Sequence, residues 1–265
     1  KNGKVRKWYE VLKEGTETVI DRIFITGVAP ITLDSLTSGF NIGSDITRDE
    51  EFNEMLGFTE QELIKLVDEQ NISKEKQLEL LPIMKENYDG YKFSVHGKEK
   101  IYNSNMCLYF LKDYVRLGRI PENLVDVNIA SDYSKIGKML DLCKGEKREE
   151  IIEKTVSGEG ILSEITQKFN PAMEFTDTDL VSMLYYLGYL TIEGIEVGFP
   201  KLKVPNKVMR EIYAEYFLKT LGQEFNNGII DSYSEITKEL ALEGKIDKIV
   251  EILQKYLKNL SNRDY

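Results

Sequence analysis

The sequence predicts an α+β protein dominated by helix, and three observations carry that expectation. Apolar residues recur at helical spacing through most of residues 59–158. A nearly continuous run of Ile20, Ile23, Phe24 and Ile25 closes at Thr26-Gly27 and reads as a strand buried on both faces, as in a parallel sheet. Further on, a helix, a two-stranded hairpin and another helix succeed one another over residues 176–221.

The elements follow in order. "VRKWYEVLKEG" places Val5, Trp8, Tyr9 and Leu12 at helical spacing, with Gly15 as its stop. That helix feeds the run ending at Thr26, which makes one αβ unit of a doubly wound fold. In "FTEQELIKLVDEQ" Thr59 stands three residues before Glu62, a capping box, and Leu63, Leu66 and Val67 share one face. The next helix, "SKEKQLELLPIMKENYDGYKF", contains Pro82, where a kink or break is expected. "YNSNMCLYFLKDYVRLG" is a helix capped by Asn103 or Ser104, with Leu108, Leu111 and Val115 at helical spacing and Gly118 beyond its end. "SKIGKMLDLCKG" and "KREEIIEKTVSG" are two shorter amphipathic helices, and "GILSEITQKF" alternates weakly, as a strand would.

Thr176 caps a helix bearing Leu180, Leu184 and Leu187, closed by Gly188. "YLTIE" and "FPKLKVP" are the hairpin strands, joined around Gly194 and Gly198. Asn206 caps a helix with Val208, Ile212, Tyr216 and Leu221 inward. Helix, hairpin, helix is a winged-helix-like layout. The tail from Asp231 gives two more helices broken at Gly244.

Composition bounds the function. The chain has 265 residues, 42% apolar and 30% charged, ordinary for a globular protein with a sizeable core. No stretch approaches the ~20 apolar residues of a membrane span. The start, "KNGKVRKWYE", lacks a secretory pattern and a Met, which suggests a processed or excised piece. Net charge is −10 with pI near 4.9, against the basic surplus that nucleic-acid binders carry. Cys107 and Cys143 have no CxxC spacing and read as reduced thiols, hence a cytoplasmic protein.

Known catalytic patterns are missing. No Gly-Lys pair continues into the GxxxxGK(S/T) phosphate loop. His96 is the only histidine, so multi-histidine metal sites are excluded, and its setting, "SVHGKEK", reads as a solvated turn. Glu243-Gly-Lys245 matches a nuclease Glu-x-Lys pair but falls between helices, where chance explains it better. "TRDEEFNE" reads as a solvated loop face. Tyr88, Tyr91, Phe93, Tyr185, Tyr186 and Tyr189 fit base stacking or, better, the rim of a core. Lys201 and Lys203, on the hairpin, are the basic residues placed to meet a nucleic-acid backbone. No residue is assigned as catalytic or as a metal ligand.

Several motifs together carry a family resemblance: "DRIFITGVAPITLDSLTSGFNIGSDITRDEEFNEMLGFTEQEL", "ENYDGYKFS", "IYNSNMCLYFL", "DLVSMLYYLGYLTIE" and "FPKLKVPNKVMREIYAEYF". From about residue 4 to about 222 the chain resembles the bacterial AAA-ATPase-like proteins, which typically carry a predicted PD-(D/E)XK nuclease domain after the ATPase part. The resemblance implies that residues 1–58 are the C-terminal part of a P-loop ATPase-like core. It makes residues 59–158 a helical lid, 159–222 a winged-helix-like module and 223–265 helices leading to a downstream domain. The Walker motifs of that family precede the helix at 5–14 and are absent from this sequence. The chain then has no cofactor of its own, and ATP and Mg²⁺ belong to the full-length protein only. Its partners are the ATPase and nuclease domains of that same protein, with no membrane; nucleic acid is a partner that the acidic charge does not support.

The resemblance makes Thr26 the candidate sensor of the γ-phosphate or its attacking water, with Asn41 and Arg48 following on the same side. Simple strand termination explains Thr26-Gly27 equally well. Asp89-Gly90 in "YDGY" reads as a turn that fixes the lid. The expected function is a non-catalytic lid, coupling or interaction region. The alternative is a winged-helix nucleic-acid-binding regulator.

Overall fold

The computed structural model describes residues 3–27, 43–125, 146–167, 169 and 175–214. Residues Lys1–Tyr213 form one compact unit and Ala214–Tyr265 a second. The expected helix at 134–145, Asn41, Cys143 and Glu243-Lys245 lie outside the described residues. So do the helix beyond residue 214 and the tail helices. The elements are α1 (Gly3–Gly15), α2 (Glu60–Glu69), α3 (Lys74–Tyr88), α4 (Ser104–Leu117), α5 (Glu146–Ser157), β1 (Ile161–Leu162), α6 (Asp177–Tyr186), β2 (Thr191–Glu196), β3 (Phe199–Lys203) and α7 (207–214). The described residues are therefore α+β and rich in helix.

Local chemistry sets the helix ends. Thr59 accepts from the Glu62 amide while the Glu62 carboxylate accepts from the Thr59 N–H at 2.9 Å, the expected capping box. These bonds hold the Glu62 carboxyl below its usual pKa. Thr176 and Asp179 repeat the device at α6. Asn103, rather than Ser104, caps α4 by accepting from the Met106 amide. Gly118 ends that helix at φ 68, in the left-handed region glycine adopts without a Cβ penalty.

Pro82 does not break α3, which runs unbroken from Lys74 to Tyr88. The proline deprives the Leu78 carbonyl of its helical partner. Both residues lie on the exposed side, where water replaces the lost bond.

The sheet is small: three strands in the order β1-β3-β2, antiparallel throughout. The strand expected over "GILSEITQKF" shrinks to two residues. The hairpin turns at Val197-Gly198, not around Gly194. Gly194 instead sits at a register shift within β2. Apolar side chains meet inside: Leu63 and Val67 of α2, Leu80, Met84 and Tyr88 of α3, Met106 and Phe110 of α4, Leu180 and Leu184 of α6, and Ile192, Leu202 and Tyr213. Each such side chain removed from water stabilises the fold by roughly 1.5–3 kcal/mol.

The run expected to be a two-faced buried strand is not one. Residues 22–27 pair with no strand among the described residues, and Phe24 and Ile25 are 61% and 52% exposed. The pattern is right for an interior strand, but such a strand needs a neighbour on each side. Among the described residues the only sheet is the antiparallel one at 161–203, and this run is not part of it.

Candidate functional site

Polar groups from several separate stretches of the chain converge on one place, the segment 89–99 after α3. Asp89 receives the end of α3, and Gly90 turns the chain at φ 108. A side chain there has no room: a Cβ on Gly90 would sit 2.1 Å from the Pro205 carbonyl oxygen. Beside it the Asn206 amide donates to the Asp89 carbonyl at 3.0 Å, while its Oδ1 caps α7 by accepting from the Met209 amide at 3.1 Å. One asparagine thus ties the end of α3 to the start of α7. The expectation that Asp89-Gly90 is a fixing turn agrees with this geometry.

The strand-like continuation docks on the hairpin side. The Lys92 amide donates to Thr191 Oγ1 at 2.7 Å, and the Tyr185 hydroxyl donates to the Phe93 carbonyl at 2.8 Å. From the other side Asn53 Oδ1 accepts from the Phe93 and Ser94 amides, both at 3.0 Å, and its Nδ2 donates to the Glu99 carbonyl at 3.0 Å. Isolated antiparallel bridges, Tyr91 with Ile101 and Phe58 with Tyr102, complete the junction.

Sequence reasoning missed Asn53, which is 1% exposed in a stretch read as a solvated face. Its only signal was its place beside Phe52 among charged residues.

Burial dominates the electrostatics of this junction. It raises the Asp89 carboxyl above the ordinary range, although the Gly90 N–H and the fields of Lys85 and Lys100 oppose it. It also raises the Tyr88, Tyr102 and Tyr185 phenols and the Cys107 thiol, which keeps all four neutral. Cys107 is a buried, free and unreactive thiol. The tyrosines singled out in the sequence are core: Tyr88, Tyr91, Tyr185 and Tyr189 are buried, and Phe93 and Tyr186 half-buried.

The site residues expected from sequence are dispersed. Thr26 is exposed. Arg48 is half-buried and lines a cavity of about 270 Å³ with Asp45, Asp49, Val95, Gln167 and Ile192. Thr26 is not among the residues lining that cavity. Two carboxylates flank the arginine, so the cavity as a whole does not favour an anion. Lys201 pairs with Glu196 at 2.8 Å, and Lys203 pairs with Glu193. Both lysines expected to face nucleic acid are therefore matched by a glutamate on the same hairpin. His96 is exposed in the turn at 95–96, as expected.

Among the described residues no three His, Cys, Asp or Glu side chains gather as a metal would require. No helix among them is long and apolar enough to cross a membrane. Compared with known proteins, the chain matches no protein-family model, no curated protein and no solved structure.

Proposed function

We propose that the chain is a non-catalytic lid and coupling region of a larger AAA-ATPase-like protein, with a winged-helix-like module at residues 159–222. One observation carries this reading. The side chains of Asn53, Tyr185, Thr191 and Asn206 all bond the backbone of the segment that follows α3, and so join α3 to the hairpin and α7. Side chains engaged this way transmit position rather than perform chemistry.

The groups that hold a triphosphate, a phosphate-loop lysine and a Mg²⁺-binding acid beside it, have no counterpart in this sequence. Thr26 is not among the residues that line the cavity beside Arg48. Titration calorimetry with ATP and Mg²⁺ tests the reading. No micromolar binding is expected from this chain, and micromolar binding would overturn it.

The order helix, hairpin, helix at residues 177–214 favours a second reading, a winged-helix nucleic-acid binder. Against it stand the net charge of −10 and the two neutralised hairpin lysines. A positively charged surface is what would supply the affinity.

A further inference from the structure

We infer that the groove between α5, the edge strand β1 and the start of α6 takes an extended, basic segment of a partner protein, added as a strand beside β1. The groove encloses about 410 Å³, within the roughly 300–1,000 Å³ of ligand pockets. None of its lining residues belongs to the polar junction at 89–99, so it is a second, separate place on the molecule.

Its backbone wall is open. β1 pairs with β3 alone and so forms one edge of the sheet. The Ser163 amide donates to the Pro200 carbonyl at 3.1 Å, two residues along from Ile161, which faces Leu202. Bonding alternates along an antiparallel ladder, so the N–H and C=O of Leu162, between these two, point away from β3. No backbone group among the described residues bonds them. Leu162 lines the groove and there presents one donor and one acceptor, the pair of groups that an added strand takes up.

The side chains provide an apolar floor. Ile151, Ile161 and Val181 line the groove and are buried, while Leu162 stands 45% exposed. Leu162 lies opposite Lys201, and Glu196 opposite Phe199. Cross-strand partners share a face, and so do Lys201 and Phe199, two residues apart on β3. Phe199, 44% exposed, therefore extends the apolar surface along the outer face of the sheet, beyond the ion pair.

Charge selects the occupant. Four carboxylates, Glu150, Glu159, Asp177 and Glu196, line the groove against two lysines, Lys154 and Lys201, an excess of two negative charges. The lysines are already engaged, Lys154 with Glu150 and Lys201 with Glu196. That field repels a nucleic-acid strand or an anionic lipid surface, and a second copy of a chain with net charge −10 as well. A strand that alternates Lys with an apolar residue brings cations to the carboxylates on one side and sets apolar side chains beside Leu162 on the other.

Nuclear magnetic resonance of the 265-residue chain, titrated with blocked pentapeptides, tests the inference. Acetyl-Lys-Val-Lys-Val-Lys-amide shifts the amides of residues 160–163 saturably, and its Glu-Val-Glu-Val-Glu counterpart binds at least ~10-fold more weakly. N-methylating either the even or the odd amides of the Lys peptide separates strand pairing from charge. One version loses at least ~10-fold and the other keeps its affinity, because only alternate amides face β1. Glu159→Lys, at an exposed residue, weakens the Lys peptide by about fivefold. Leu162→Pro removes the outward N–H without breaking a ladder bond and costs at least ~10-fold in affinity. Should that variant melt below the native chain, the two methylated peptides, which leave the protein unaltered, decide.

Equal losses from both methylated peptides, equal affinity for the Lys and Glu peptides, or no saturable shift at residues 160–163 overturns the inference. Shifts at those amides that grow with protein concentration and need no peptide assign the edge to a second copy, and overturn it too.

Discussion

Replacing Gly90 by Ala probes the junction on which the coupling role depends. Two costs are built into the site. At φ 108 an L residue is strained by about 1–3 kcal/mol. The new Cβ would lie 2.1 Å from the Pro205 oxygen and 2.9 Å from its carbonyl carbon, both under the 3.0 Å that real Cβ contacts respect. Relieving that clash means moving the Pro205-Asn206 backbone, at about 1–3 kcal/mol for overpacking. It also disturbs the bond from the Asn206 amide to the Asp89 carbonyl, worth about 1 kcal/mol.

The expected loss is about 3–7 kcal/mol, a large share of the 5–15 kcal/mol that holds a typical domain together. Urea denaturation followed by circular dichroism measures it. Gly198→Ala is the control: its φ is 85, but nothing lies within 4 Å of the added methyl, so only the strain of about 1–3 kcal/mol remains. A Gly90→Ala variant that loses less than about 1 kcal/mol, or no more than Gly198→Ala, refutes the close approach to Pro205.

The other predictions concern charge and the polar junction. Asn53→Ala strips acceptors from the Phe93 and Ser94 amides and a donor from the Glu99 carbonyl, so a loss of about 2–4 kcal/mol is expected in the same assay. A change under about 1 kcal/mol would mean that water replaces the side chain freely. For Asp89 the folded carboxyl titrates above its unfolded value, so the folded state binds more protons in the window between them. Stability therefore falls as pH rises through that window, and Asp89→Asn removes the fall. The variant is expected to gain on the native chain as pH rises above the ordinary carboxylate range, and a constant difference across a pH series of melts would contradict this. In a gel shift with duplex DNA, the native chain gives no salt-sensitive complex because Lys201 and Lys203 are already paired. A clear shift at low salt that fades on adding salt would favour the nucleic-acid reading instead.

Much of the local structure was legible in the sequence because its causes are local. The capping box at Thr59 and Glu62, the caps at Asn103, Thr176 and Asn206, and the glycine stop at Gly118 depend on groups within four residues of one another. The helical periodicity of α2 fixed its inward face, where Leu63 and Val67 are buried. In α4 it did not: of Leu108, Leu111 and Val115 only Leu111 is buried. Leu108 and Val115 are about half exposed because the packed face is set by Met106, Phe110 and Tyr114 instead. The wet turn at His96 was equally readable from its polar neighbours.

Sequence failed wherever the deciding partner lies far along the chain. Pro82 stayed inside a helix because its face is exposed, and exposure is a property of the packed molecule. Asn53 looked solvated until the segment at 93–99, some 40 residues away, brought two amides to it. Lys201 and Lys203 looked basic until the hairpin register set Glu196 and Glu193 within reach.

By itself, then, the sequence determined helix positions, caps and the inward face of α2, all consequences of backbone geometry over one or two turns. Only the tertiary structure decided that Asp89-Gly90 presses against Pro205-Asn206 and that, among the described residues, the run closing at Thr26 is not part of the sheet at 161–203. Close approach and strand pairing depend on distances between residues that sequence separates by tens of positions, and no local pattern encodes them.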